Sequence, residues 1–141
     1  MDNKIYKTTK YKEWRRKVFR RDLFTCQLCG QKGSLEAHHI KKKSVYPQYM
    51  YTVSNGISLC VTCHKIVTRR EEVFEPLFKR IVNRKLSISY IKSFFASLSS
   101  EIIEVLEYNK KLAKIPYQLV KKMKVDKSIK NVKRRTNSAR R

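Results

Sequence analysis

The hydrophobic pattern of this chain changes period along its length. In residues 9–22, TKYKEWRRKVFRRD, the apolar positions Tyr11, Trp14 and Val18 recur at i, i+3 and i+7, which predicts a helix with one buried stripe. Arg15, Arg16, Lys17, Arg20 and Arg21 occupy much of its remaining surface. Two short apolar runs, SLEAHHI and GISLC, read as strands. Between them lies a long basic and aromatic loop, KKKSVYPQYMYTVSNG, and after them VTCHKIVTRRE begins a second helix. From Glu71 onward Phe74, Leu77, Phe78, Ile81 and Val82 restore the amphipathic helical period. Pro76 is tolerable in a first turn, which predicts that this helix starts near Val73. LSISYIKSFFASLSS and EIIEVLEYNKKLAK predict two more helices, the latter with acids early and lysines late, as the helix dipole favours. Pro116 interrupts the pattern. The fold class expected is α+β, a small strand pair among helices.

Charge changes the picture. The chain carries 34 Lys+Arg against 11 Asp+Glu, a formal +23 over 141 residues. A core gains nothing from that self-repulsion, so the excess points to a polyanionic partner. No apolar run approaches the roughly 18 residues of a membrane span, and the start, MDNKIYKTTK, lacks the apolar core of a signal peptide. The expected location is therefore cytoplasmic, or the nucleoid or host-cell interior if the protein is viral. The end, VKKMKVDKSIKNVKRRTNSARR, is basic with little apolar periodicity and reads as a tail disordered when alone.

The four cysteines, Cys26, Cys29, Cys60 and Cys63, form two C-x-x-C pairs about 30 residues apart. In a reducing compartment this spacing reads as a tetrahedral zinc site. Two disulfides are the alternative. Gly30 and Gly33 permit the tight turns of a knuckle.

Two of the three histidines, His38 and His39, are adjacent at the end of the first strand, and the third, His64, follows Cys63 directly. Successive side chains on a strand point to opposite faces, so one imidazole of the pair can bind while the other acts from another side. Cleavage of a phosphodiester needs an activated water, neutralised phosphate charge and a stabilised leaving oxygen. A metal held by two protein groups keeps positions open for phosphate, and histidine accepts a proton near neutral pH. Asn55 before Gly56 is in addition a ready turn dipeptide.

CQLC, LEAHHI, SNGISLCVTCH and the preceding WRRKVFRRD, together and in this order, resemble the HNH endonucleases, members of the ββα-metal nucleases. The resemblance covers about residues 11–72. It implies that His38 is a metal ligand, His39 the general base, Asn55 a residue that ties the loop and orients the base, and His64 the second metal ligand. It also implies that Cys26, Cys29, Cys60 and Cys63 hold a separate structural Zn²⁺. The ligand position often carries aspartate in the family, and here it is His38. Two neutral imidazoles favour Mn²⁺, Ni²⁺, Co²⁺ or Zn²⁺ over Mg²⁺ as the catalytic divalent metal.

The organisation expected is a basic N-terminal helix over 1–24, a ββα-metal nuclease core with a four-cysteine zinc clip over 25–72, a helical extension over 73–118 and a basic tail over 119–141. DNA is the expected partner, contacted by Arg15, Arg16, Arg20, Lys41, Lys42, Lys43, Arg69 and Arg70. No membrane is expected, and 73–118 offers a surface for a homodimer or another protein. Tyr46, Tyr49 and Tyr51 can stack on bases or pack over the loop. The alternative to a metal-dependent endonuclease is a non-catalytic zinc-ribbon module that binds nucleic acid through the same basic surface.

Overall fold

The Thr8 side chain caps the first helix by accepting a hydrogen bond from the Tyr11 N–H, and α1 runs Thr9–Arg21. Its buried residues are Tyr11, Trp14 and Val18, the stripe that the periodicity predicts. Arg20 and Arg21 lie in its last turn, where cations suit the dipole. Arg21, expected on the surface, turns inward instead. Its guanidinium clasps the Asp22 carboxylate and donates to the Val53 and Gly56 carbonyls at 2.8 and 2.6 Å. The buried Asp22 carboxylate in turn accepts the Ser58 N–H at 2.8 Å. This clasp joins the end of the helix to the second strand, a long-range pairing that no local pattern announces.

A computed structural model describes residues 4–124 of the chain. After α1 the chain turns through Leu23 and Phe24, both at positive φ. It then makes the knuckle Cys26–Gly30 and a single bridge, Thr25 with Lys32. Strands β1, Leu35–His39, and β2, Gly56–Cys60, pair antiparallel, with Leu35 opposite Cys60 and His39 opposite Gly56. Every residue of β2 is buried, whereas β1 is mostly half-buried. Helix α1 covers β2 so closely that a Cβ on Gly56 would lie 2.5 Å from Val18 Cγ2 and 2.7 Å from Trp14 Cζ2. Asn55–Gly56 is thus no turn dipeptide. Asn55 ends a short 3₁₀ turn, Gly56 is extended at φ −113°, and the glycine is there for close approach.

The Cys60 thiol caps α2, Val61–Val67, by accepting the Cys63 N–H. Arg69 at φ 71° breaks the path, and α3 runs Glu71–Val82. It begins two residues before the expected start, because Glu71 and Glu72 complement the helix N-terminus. Pro76 therefore lies inside the helix, where its ring removes the N–H that would otherwise bond back to Glu72.

The chain divides into two compact units between Asn83 and Arg84. Helix α3, which the sequence groups with the helical extension, falls in the first unit. In the second, serine side chains cap α4, Ile88–Ala96, and α5, Ser100–Tyr108. Its buried apolar residues include Ile91, Phe94, Leu98, Ile102, Leu106, Ile115 and Leu119. Residues 114–124 are also helical. Pro116 lies in the first turn of that helix, where a missing N–H costs nothing, so it opens the helix rather than interrupting one. Residues 119–124 of the expected tail belong to it, and the rest of the tail lies outside the described residues. The architecture is α+β: a two-stranded antiparallel sheet with a cysteine cluster, an N-terminal helix and further C-terminal helices. No described helix is long and apolar enough to cross a membrane.

Candidate active site and metal centre

The four cysteine sulfurs converge. All lie within 4.8 Å of one another, none forms a disulfide, and Cys29 Sγ is 3.7 Å from Cys60 Sγ. The knuckle brings Cys26 and Cys29, and the β2–α2 junction brings Cys60 and Cys63. The backbone bond from Gln27 N–H to the Ser58 carbonyl, 2.9 Å, holds the two pieces in register. The crowding shows in the thiols. Hydrogen bonding with Cys29 pushes Cys26 up to about 11, and bonds with Cys26 and Cys29 push Cys63 up. The bonds that Cys29 receives from Cys26 and Cys63 pull it down. A dication with tetrahedral sulfur preference fits this donor set, and zinc has that preference.

His38, His39 and Asn55 lie toward the other part of the hairpin, and His64 of α2 meets them from the cysteine side. An open cleft of ≈ 560 Å³ is lined by Glu36, His38, His39, Lys42, Lys43, His64 and Glu71, with Tyr6 and Tyr11 among its other walls. The paired imidazoles have different settings. His38 is buried, and its Nε2 has no hydrogen-bond partner. Burial, then the neighbouring His64, lowers its pKa to about 4, so it is a neutral nitrogen donor at pH 7. Its ring meets His64 edge-on with centroids 5.3 Å apart and Phe78 of α3 at 5.9 Å. A buried, neutral, unpartnered ring nitrogen suits a metal ligand, since an orphaned polar atom there costs stability unless something binds it.

His39 is fixed on two sides. Its Nε2 lies 2.9 Å from the Met50 carbonyl, so Nε2 carries the proton and donates, leaving Nδ1 with a lone pair. Its ring stacks on the Trp14 indole at 4.2 Å and 9°. Trp14 is itself anchored by Nε1–H to the Thr52 carbonyl at 3.0 Å. Burial lowers the His39 pKa, and the Met50 carbonyl works in the other direction.

Asn55 ties the loop. Its Oδ1 accepts the Lys41 N–H at 2.8 Å, and its Nδ2 donates to the Lys41 and Tyr49 carbonyls at 3.1 and 3.3 Å. It touches the strand end and the segment carrying Met50, and so acts on His39 only through the backbone.

His64 stands on α2 with Nδ1 2.7 Å from Glu36 Oε2. With that nitrogen donating, Nε2 is left as an acceptor, the tautomer a metal ligand requires. Sequence reasoning missed Glu36. The signal was present: Glu36 precedes His38 by two, so both share one face of β1. Trp14 was placed in the core but not under the base, and the Met50 carbonyl carried no signal at all.

The expected cationic contacts are scattered. Lys41 pairs with Glu75 at 3.2 Å and Lys42 with Glu71 at 3.5 Å, both acids on α3. Lys43 donates to the Tyr6 hydroxyl at 2.7 Å and lies over its ring. Arg15 lies over Phe19, while Arg16 and Arg20 are exposed on α1. Arg69 and Arg70 form the α2–α3 junction, and Arg70 donates back to the Ile66 carbonyl at 3.0 Å. Tyr46 and Tyr49 are exposed, and Tyr46 takes Lys41 over its face. Tyr51 packs against the Tyr11, Trp14 and Val18 cluster.

Residues 26–70 match the family model described as HNH endonuclease, which spans both cysteine pairs, His38, His39, Asn55 and His64. The match and the motifs agree over this segment, and the cysteine cluster within it is consistent with a zinc-binding subtype. No curated protein and no solved structure matches the chain.

Proposed function

We propose that the protein is a metal-dependent endonuclease that hydrolyses phosphodiester bonds of DNA. One observation carries the reading. A buried imidazole nitrogen without a partner, on His38, shares a cleft with a second imidazole, His39, whose free nitrogen is oriented by a backbone carbonyl and an indole.

In this reading His39 Nδ1 takes a proton from a water molecule. The resulting hydroxide forms a bond to phosphorus, and the bond from phosphorus to the 3′ oxygen breaks. His38 and His64 would hold a divalent metal, which supplies charge neutralisation at the phosphate and at the leaving oxygen. Glu36 fixes His64 in the tautomer that binds, and Trp14 and Met50 fix His39 in the tautomer that accepts. Asn55 keeps the Met50 segment beside the strand. Lys43, lining the cleft, and the arginines of α1 attract the phosphates. Lys41 and Lys42 share their charge with Glu75 and Glu71 and contribute less.

Nicking of supercoiled plasmid tests the reading. Added Mn²⁺, Co²⁺, Ni²⁺, Zn²⁺ or Mg²⁺ should support it, and EDTA should stop it. The His39→Ala protein should bind plasmid without cutting. Tight DNA binding with no cutting in any metal would leave the zinc-ribbon binding module as the function.

A further inference from the structure

Leu23 and Phe24 are exposed by 78% and 56%, and both are held in the left-handed backbone region, at φ 53° and 51°. For an L-residue with a Cβ that conformation is disfavoured, and glycine is the usual occupant. Phe24 rests against the Phe19 ring, with centroids 6.3 Å apart and planes at 49°, yet stays more than half exposed, and neither residue belongs to the buried core. The turn is nevertheless firmly built. The Leu23 N–H bonds the Arg20 carbonyl at 3.1 Å, the Phe24 N–H bonds the Phe19 carbonyl at 2.9 Å, and the Thr25 N–H bonds the Asp22 carbonyl at 3.2 Å. One side is anchored by Asp22, buried against Ser58, and the other by Cys26 of the cysteine cluster. Strain kept in a rigid mount, with apolar side chains presented to solvent, marks an interaction site.

Charge says which partner fits. The second half of α1, WRRKVFRR, holds no acid. Arg16 and Arg20 are exposed and lie one turn apart on the way to Leu23 and Phe24, and Lys17 is exposed beside them. Across the turn, the exposed Lys32 pairs with Thr25. The nearest acid, Asp22, faces inward. An apolar pair ringed by cations matches a duplex: phosphates along the ridge, and base edges or an opened base step under the tip. Leucine and phenylalanine inserted between base steps unstack them and kink the helix.

We propose that Leu23 and Phe24 form an apolar wedge that inserts into duplex DNA and bends it, a proposal that rests on the DNA reading above. Neither wedge residue lines the histidine cleft, so the wedge takes no part in the chemistry. It gives grip and shape preference to a protein whose cationic surface alone would follow any duplex, and flexible pyrimidine–purine steps are the ones it would favour.

The test compares the full zinc-loaded chain with Leu23→Gly/Phe24→Gly and with Leu23→Asn/Phe24→Asn. Glycine and asparagine both accept positive φ, so each variant should keep its zinc and melt at or above the wild-type temperature. Bending is read by energy transfer between dyes at the ends of a short duplex, without added divalent metal, and affinity by anisotropy across a salt series. Wild type should bend the duplex. The variants should lose the bend and bind about tenfold more weakly, with an unchanged salt slope because no phosphate contact is removed. Wild type that nicks plasmid, with variants that bend and bind as it does, would overturn the wedge and leave the nuclease reading standing. A wild-type dimer in sedimentation that the variants break, with bending unchanged, would also overturn it and assign the patch to a second copy. Wild type that neither binds nor nicks would overturn both readings.

Discussion

The two ends of the β1–β2 hairpin carry different loads. At one end Leu35 pairs with Cys60, and the chain enters the cysteine cluster. At the other His39 pairs with Gly56, and the chain enters the loop tied by Asn55. The cysteine end joins segments distant in sequence through side chains whose crowded sulfurs call for a cation. The histidine end is held by ordinary means, namely an indole stack, backbone carbonyls and an amide clamp. The cluster can therefore be rigid without being reactive, and the cleft can leave a buried nitrogen unpartnered without losing the fold. Removing one end should cost stability first, and removing the other should cost reaction rate first.

The largest effect is expected at the cysteine end. Cys60 ends β2, caps α2 and belongs to the cluster. A structural zinc contributes on the order of 10 kcal/mol in small zinc peptides. Cys60→Ser should lose a large fraction of that, so zinc per chain should fall below one and melting should broaden. A variant that stays fully folded without zinc would remove the division of labour.

His39→Ala should invert the pattern. It removes the proton acceptor and leaves the cysteines untouched. The nicking rate should fall by about 10²–10⁴, while stability drops by only about 1–3 kcal/mol, the worth of one stack and one hydrogen bond. Rates near wild type in a verified variant would take His39 out of the base role.

The sequence made these two ends unequally legible. The α1 stripe, both strands and the cysteine spacing were readable because each follows from a local period or a fixed spacing. The histidine pair was readable as chemistry because strand alternation separates the two rings. What supports the pair was not. Trp14 reaches His39 only once α1 lies across β2, and the Met50 carbonyl has no side chain to betray it. Arg21 looked like surface by helical position, yet acceptors at Val53 and Gly56, more than thirty residues on, draw it inward. Pro76, inside its helix, and Pro116, in the first turn of its own, depart from expectation in opposite senses, because what a proline does depends on where the helix begins and no local pattern fixes that.

Gly56→Ala sharpens the comparison by pressing on the histidine end from beneath. The added methyl would meet Val18 Cγ2 at 2.5 Å and the Trp14 ring at 2.7 Å, and both are buried side chains with little room to retreat. Overpacking of this kind costs about 1–3 kcal/mol. Because Trp14 is the platform of His39, the nicking rate should also fall several-fold while zinc content holds at one. An unchanged melting temperature would mean that α1 can lift from β2 freely, which its clasp through Arg21 and Asp22 argues against.

The smallest effect is expected at Glu36, opposite Leu59 and one pair in from the cysteine end. Its carboxylate, 2.7 Å from His64 Nδ1, links that end to the cleft. Glu36 is half exposed, so the fold should hardly notice Glu36→Gln, which keeps an oxygen acceptor of the same length. What changes is charge. A carboxylate behind a ligating imidazole raises its basicity and fixes its ring, and loss of such a partner typically weakens metal binding 10–100-fold. With the acceptor retained, the lower limit applies, so the Mn²⁺ concentration for half-maximal nicking should rise about tenfold, near 1.4 kcal/mol. The rate at saturating metal should be little changed, and zinc should stay at one per chain. Glu36→Ala should shift the midpoint further, since Nδ1 then loses its acceptor altogether. A metal midpoint unmoved in both variants would show that His64 needs no help in presenting Nε2. The link between the two ends of the hairpin would then run through the backbone of α2 alone.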